Sequence, residues 1–497
     1  MVGYMSRLSR SLQGIETGTL MALFRPRPEF QLAARLFLKV LALIYFAAFV
    51  SIAAQIAGLA GPDGILPFDV YLENAWQVLG YQAWLKVPTL FWLNASDMAL
   101  QAAAWAGAAF AVLLLLGRWP LFSLIAMFVL YLSLYRAGQV FMNFQWDTLL
   151  LEAGLLGVFL QLSPSALVLF LFHWLLFRLR FMSGVFKLVS GDPSWAGFTA
   201  LDYYFETQPL PHIGAWYAHQ LPVWLHHVGV GFTFFTELLV PFFIFLPRPF
   251  RLTAVAVTLF MQGMILATSN HNFFNLLTIA LCILLLDEKA IRRVLRKKDN
   301  GESRVPPDLP GLVHRLALSA LAVLLLFAST TGLFTLATGQ HLPSEPVRRL
   351  VQGFGVGAVY HVFPTMQMTR QELIVEGSHD GKQWKEYTFS YKPQALDKRP
   401  AYVVPHQPRL DWMMWFVPTQ HPVQMAWFGE FLAGLKRGSP RILALLDNNP
   451  FPGTPPPFLR VTAWRYRFST ADERKESGEW WQREYIGIFP FVPPRKP

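Results

Sequence analysis

The sequence predicts a polytopic α-helical membrane protein of about nine spans, followed by a C-terminal β-rich, sandwich-like domain in water. Three observations carry that prediction. Of 497 residues, 54% are apolar and 15% charged, a balance too apolar for a water-soluble chain of this length. Several apolar runs reach the ~20 residues that a helix needs to cross hydrocarbon. From Gly339 onward the runs shorten to strand length while Pro, Trp and Tyr rise, as in a domain bounded by water. The expected division is 1–338 for the membrane domain and 339–497 for the outward domain.

The formal net charge of +11 raises nucleic acid as a partner. Lys and Arg, however, sit in short segments flanking apolar runs, the arrangement that sets membrane topology, and nucleic-acid binding is excluded on that ground. The single cysteine, Cys282, lies within the apolar run 273–286. It allows neither an internal disulfide nor a cysteine-based metal cluster.

The first thirty residues are polar and basic without a short apolar core, so no cleavable signal peptide is expected. The first span, about 35–60, follows Arg7, Arg10, Arg25 and Arg27, which puts the N-terminus on the cytoplasmic side. Loop 61–97 has Lys86 as its only basic residue against Asp63, Asp69, Glu73 and Asp97, and is expected outside. Further spans are expected at about 98–117, 119–139, 144–162, 166–190, 221–246, 250–269, 273–286 and 312–338. The eighth is short and is alternatively re-entrant. Arg118, Arg248 with Arg251, and Lys289, Arg292, Arg293, Arg296, Lys297 and Lys298 fall inside, while loop 191–220 has no Lys or Arg and falls outside. An odd number of spans puts the C-terminal domain outside. There, 372–377 and 384–391 alternate around His379-Asp380-Gly381-Lys382 and predict a hairpin. A third strand is expected at 461–468, short helices at 426–437 and 440–446, and a rigid connector at 450–457.

Charges inside the spans are the strongest functional signal, because an intramembrane charge is costly unless it faces the protein interior and meets a partner. The run 144–162 carries Asp147 and Glu152 behind Gln145 and Trp146, and is therefore expected inside a bundle. Counted from the outer end of each span, Glu152 lies roughly 10 Å deep and Arg180 roughly 15 Å, which predicts a Glu152–Arg180 pair. Arg178 and Glu237 sit deeper and form a second expected pair. Either these charges lock helices together, or they line a polar cavity in the outer half of the membrane that holds a ligand or peptide. That candidate cavity comprises Arg136, Gln145, Trp146, Asp147, Glu152, Arg178, Arg180 and Lys187.

Above it, loop 191–220 crowds Trp195, Asp202, Tyr203, Glu206, His212, Trp216, His219 and Gln220 into a candidate outer surface, joined by His271 from another outer turn. A loop this long between spans has a function or packs as a cap. His212, His219, His226 and His227 fit no helical ligand spacing, so no metal is expected. There is no P-loop, dinucleotide-binding glycine fingerprint, Ser-His-Asp motif or zincin signature. No cofactor is expected; a lipid or quinone is the class of small molecule that such a cavity would take.

Phe144-Gln-Trp-Asp-Thr-Leu-Leu-Leu-Glu-Ala-Gly154, Leu201-Asp-Tyr-Tyr-Phe-Glu-Thr-Gln-Pro-Leu-Pro211, Ala215-Trp-Tyr-Ala-His-Gln-Leu-Pro222, Phe273-Phe-Asn-Leu-Leu-Thr-Ile279, Ile374-Val-Glu-Gly-Ser378 and Pro405-His-Gln-Pro-Arg-Leu-Asp-Trp412 together resemble the lipase maturation factor family. The resemblance covers nearly the whole chain. It implies a membrane chaperone with its C-terminal domain on the secretory side, assisting exported lipases or other secreted clients. A more distant resemblance to vitamin K-dependent γ-carboxylase and related horizontally transferred transmembrane domains rests on Ser183-Gly-Val-Phe-Lys-Leu188, Trp195 and His271-Asn-Phe-Phe-Asn275. It implies the alternative of a membrane enzyme acting on a lipid-soluble substrate, with Lys187 as base. The expected compartment is a bacterial inner membrane with a periplasmic C-terminal domain, or the endoplasmic reticulum membrane in a eukaryote. The expected partners are an exported, lipase-like client, with Trp412, Trp415, Trp480 and Trp481 as candidate contacts, and membrane lipids.

Overall fold

A computed structural model of the chain describes residues 21–296, 309–419 and 425–490. Arg7, Arg10, Lys297 and Lys298, used above to orient the spans, lie outside the described residues. Seven described helices are long and apolar enough to cross a membrane: Pro28–Ala53, Asp97–Leu115, Pro120–Ala137, Ala166–Val189, Val223–Phe243, Arg248–Thr268 and Leu312–Thr338. The chain is a polytopic helical membrane protein. Two of the nine expected spans differ in kind. Gln145–Leu162 is a helix of 18 residues whose polar groups keep it out of that set, and Phe274–Ile283 is a 10-residue apolar helix.

Gln145–Leu162 is wrapped by protein, with Asp147, Glu152 and most of its leucines buried. Its Gly154 allows a close crossing, because a Cβ there would sit 2.0 Å from the Tyr45 hydroxyl. That hydroxyl instead donates to the Leu150 carbonyl at 3.0 Å. The first span, expected to run to 60, stops at Ala53, and a short helix Ile56–Ala60 follows. Gln55, in the break, serves the C-terminal part by donating to the Gln407 carbonyl at 2.9 Å and accepting from the Arg409 amide at 2.7 Å.

The span Val223–Phe243 contains a π-turn, Phe235–Leu239. Pro241 explains it, since proline has no N–H for the Glu237 carbonyl four residues back and its ring crowds that carbonyl. The widened turn carries Glu237, which is buried. Such π-bulges are frequent at functional sites.

The C-terminal part holds one four-stranded antiparallel sheet among the described residues, in the order β2-β1-β3-β4. The strands are β1 (Arg370–Ser378), β2 (Lys385–Glu386), β3 (Phe458–Phe468) and β4 (Trp481–Phe489). The expected hairpin is present in part as β1–β2, with Gly377 opposite Lys385, its second arm being strand only over Lys385–Glu386 of the expected 384–391; the expected third strand is present as β3, with Val375 opposite Val461. β4 was not anticipated. Its edge position leaves Tyr485 and Ile488 exposed, and Arg483, Glu484 and Gly487 blur its alternation. Helix Ala426–Arg437 forms as expected and ends on Gly438 at φ +69°, the left-handed cap that glycine supplies without a Cβ clash. The main hydrophobic cluster joins Phe37 and Leu149 of the membrane part to Leu373, Leu410 and Trp427 of the C-terminal part, and a smaller one joins Phe205 and Trp216 to Phe468 and Trp481.

Candidate functional site

Among the described residues, three buried ion groups on the membrane helices meet the C-terminal part, and a fourth, Arg370–Glu372–Lys392, lies in the C-terminal part itself. In the first, Asp147 accepts from Arg409 through both oxygens at 2.6 and 2.7 Å and from the Tyr131 hydroxyl at 2.6 Å. Arg409 also donates to the Phe141 carbonyl at 3.1 Å and lies over the Trp146 ring. This is a bidentate fork with both carboxylate oxygens and both terminal guanidinium nitrogens engaged. In the second, Glu152 pairs with Arg178 through one oxygen, and its other oxygen accepts from the Gly357 amide at 2.8 Å. Arg178 also donates to the Ala358 carbonyl at 3.2 Å. Gly357 reaches this position at φ +67°, and a Cβ there would lie 2.8 Å from the Ala328 Cβ. Only glycine meets both conditions at ease.

The third group differs. Lys187 donates to Glu237 at 2.8 Å, to the Val362 carbonyl at 2.8 Å and to the Ser183 carbonyl at 3.4 Å. With its three protons so directed and the Trp195 ring 5.0 Å away, it is placed as a charged donor. A base needs a free lone pair, which this geometry does not present. Arg180 donates to the Thr236 hydroxyl at 3.1 Å, and its nearest approach to Glu237 is 3.8 Å.

Arg180, Lys187 and Glu237 line a cavity of about 480 Å³. Its wall is otherwise largely apolar, including Leu225, Val228, Phe232, Phe260 and Ile265. Gln262, Asn275, Thr278, Tyr204 and His271 add uncharged polar groups. The Tyr204 hydroxyl is 2.7 Å from His271 Nε2 and 2.9 Å from the Ser269 hydroxyl. Burial, with a smaller effect of His212, depresses the His271 pKa to about 4 and so favours the neutral ring.

The expected pairs Glu152–Arg180 and Arg178–Glu237 are exchanged: Glu152 takes Arg178, and Glu237 takes Lys187, with Arg180 nearby. Depth arithmetic cannot resolve this, because residues two apart on a helix point to opposite sides. Arg178 faces the Gln145–Leu162 helix and Arg180 the π-turn, while Arg180 and Lys187, seven apart, share a face. The expected cavity is divided accordingly. Arg180 and Lys187 line the cavity of about 480 Å³ and Arg136 and Gln145 line two others, while Asp147, Glu152, Arg178 and Trp146 are packed into closed contacts, Trp146 edge-on to Trp412 at 5.1 Å. Arg136 donates to the Lys86 carbonyl, and Gln145 exchanges two hydrogen bonds with the backbone of His361.

Loop 191–220 is mostly covered, which fits the cap of the two expected readings. Arg370 donates to the carbonyls of Glu206, Gln208 and Pro209 at 2.8, 2.5 and 2.9 Å, meeting the negative end of helix Ala200–Thr207. Glu206 accepts from the Phe468 amide at 2.7 Å, and the Trp216 indole and Gln220 amide donate to the Ser469 carbonyl at 2.9 and 3.3 Å. Asp202 is 3.0 Å from His226 and 3.4 Å from His227, while His219 lies 3.6 Å from Glu206. Tyr203 is half-buried, its carbonyl accepting from the Thr207 hydroxyl. The Trp195 indole donates to the Phe363 carbonyl at 3.1 Å. His212 caps helix Ile213–His219 by accepting from the Gly214 amide, and burial lowers the pKa of both His212 and His219. Among the described residues, no group of three His, Cys, Asp or Glu is placed to hold a metal. Trp412, Trp480 and Trp481 are buried and Trp415 is half-buried, so these indoles form core rather than a free client surface.

Arg409, Gly357 and Arg370 were missed as site-forming residues. Arg409 stands inside Pro405–Trp412, one of the segments that carry the family resemblance, but nothing local reveals a partner 262 residues away. The turn Asn270-His271-Asn272 likewise holds distant chain. Asn270 bonds the Ala401 carbonyl at 2.8 Å and the Val403 amide at 2.9 Å, and Asn272 bonds the Gln407 side chain at 2.8 Å.

Two family models match the chain, the lipase maturation factor transmembrane domain over residues 32–293 and the lipase maturation factor C-terminal domain over residues 356–491. Lipase maturation factor 2 of Gallus gallus is 34% identical over 91% of this chain and 80% of its own length. Lipase maturation factor 1 of Mus musculus is 32% identical over 94% of this chain and 87% of its own, and lipase maturation factor 2 of Homo sapiens is 32% identical over 92% and 82%. No solved structure matches the chain.

Proposed function

The chain belongs to the lipase maturation factor family, and on that premise we propose that it is a membrane-embedded maturation factor that assists folding or assembly of exported lipases. The observation that carries this reading is that both family domains occur in one chain, over 32–293 and 356–491, and that the relatives align over 91–94% of it. In this reading residues 1–338 form the membrane domain and 339–497 the client-facing domain. The N-terminus is cytoplasmic and the C-terminal domain lies outside, in the periplasm of a bacterium or the lumen of the endoplasmic reticulum. The distribution of Lys and Arg around the spans supports that orientation.

The fold supports a fixed platform over a tethered domain, since Arg409 and Arg370 dock the C-terminal part onto the membrane part through buried bonds. The test is removal of the protein from a host that exports a lipase, with secreted lipase mass and activity measured together. The expected result is exported lipase of low specific activity, restored by the wild-type chain, and crosslinking in membranes that enriches the lipase with this protein. Unchanged specific activity with no exported protein enriched overturns the reading.

A further inference from the structure

We propose that the cavity between helices Val223–Phe243 and Arg248–Thr268 binds one long-chain fatty acid, drawn from the surrounding lipid, with its carboxylate on Arg180. The inference is independent of the client reading and stands on shape, opening and charge.

The volume of about 480 Å³ lies within the usual range of small-molecule sites, about 300–1,000 Å³. Its walls suit an alkyl chain. It opens sideways, since Val228 and Phe260 are each 60% exposed and Met264 is 49% exposed while also lining it. These three sit on apolar helices of spanning length, so a hydrocarbon chain reaches the cavity from lipid without crossing water.

The charged lining residues are two cations and one anion, Arg180, Lys187 and Glu237. Lys187 takes the Glu237 hydrogen bond at 2.8 Å, leaving Arg180 with a hydroxyl and no carboxylate nearer than 3.8 Å. A free Nε is not what distinguishes it, for Arg178 and Arg409 share that. Those two are hydrogen-bonded to carboxylates, whereas Arg180 meets Glu237 only as an ion pair at 3.8 Å. Its side chain is 8% exposed, and a guanidinium fork in such surroundings favours a carboxylate. Position limits the headgroup. Arg180 is nine residues, about 14 Å, from the helix end at Val189, a depth that admits a single carboxylate on one chain better than a phospholipid headgroup with two.

The test titrates the full-length protein in detergent with tritiated palmitate, competing with oleate, hexadecanol or phosphatidylglycerol. Saturable binding at one palmitate per chain is expected, displaced by oleate and not by hexadecanol. Arg180→Gln should weaken binding at least tenfold and Arg180→Lys should restore part of it. Val228→Trp, at the lipid-facing mouth, should weaken it similarly with the melting midpoint unmoved, and decides the matter if Arg180→Gln does not fold. Absent saturable binding, equal displacement by hexadecanol, phosphatidylglycerol outcompeting palmitate, or unaltered binding in the folded variants overturns the proposal.

Discussion

The Asp147–Arg409 fork and the Lys187–Glu237–Arg180 group are both buried ion clusters, yet one is a clasp and the other part of the wall of a cavity. At the clasp, both carboxylate oxygens and both terminal nitrogens are engaged, and Arg409 lies over the Trp146 ring. At the wall, one lysine takes one oxygen of the carboxylate, and a second cation bonds a threonine and approaches the other oxygen no closer than 3.8 Å. Burial alone thus does not tell a lock from a site. What separates them is whether the donors are used up, and whether space adjoins them.

The largest expected effect comes from opening the clasp. Asp147→Ala strands Arg409 in a low-dielectric bundle, a loss on the order of 3–5 kcal/mol, read as a lowered midpoint in size-exclusion thermal survival. Asp147→Leu with Arg409→Leu should recover much of it, and additive losses in the double variant would show that the two act separately. The same logic applies to Glu152 with Arg178, and Glu152→Leu with Arg180→Leu should show no such recovery.

Gly357→Ala should cost less, about 1–3 kcal/mol, because it forces a side chain into the left-handed region and against Ala328. A midpoint equal to wild type would mean that the Glu152 latch is dispensable.

Acid should loosen the cap. The histidines His212, His219 and His271 have folded pKa values below the ordinary 6.5, so the unfolded chain binds more protons and stability falls as pH drops below that value. His271, at about 4, should alone cost about 1 kcal/mol between pH 7.5 and 5.5. A midpoint that rises on acidification over this window would contradict the assignment.

The smallest effect is expected at the surface pair Arg467–Glu473, whose carboxyl the arginine holds down at about 2. Both side chains reach solvent, and Glu473→Gln should leave the midpoint unmoved.

How much of this was legible in the sequence depends on distance along the chain. Helices and their carboxylates were readable, because apolar runs of spanning length are local and Glu152 violates its own run. Helix Ala426–Arg437 and β3 carried their periodicity openly. Which cation meets which carboxylate was not readable from depth alone, since Arg178 and Arg180 differ by helical face rather than level. A seven-residue spacing from Arg180 to Lys187 was the available signal for a shared face. Arg409 and Gly357 were out of reach because their partners lie 262 and 205 residues away, and no local rule encodes such a pairing.

That separation also orders events during synthesis. A chain made at about 5–20 residues per second places Asp147 among the early spans, then needs roughly 13–50 s to produce the arginine 262 residues later that answers it. Glu152 meets Arg178 soon but waits for Gly357 to complete its second bond. Until then the nascent protein carries an unmatched carboxylate within its membrane part. A chain that stops before residue 409 keeps that charge exposed to whatever surveys unfinished membrane proteins.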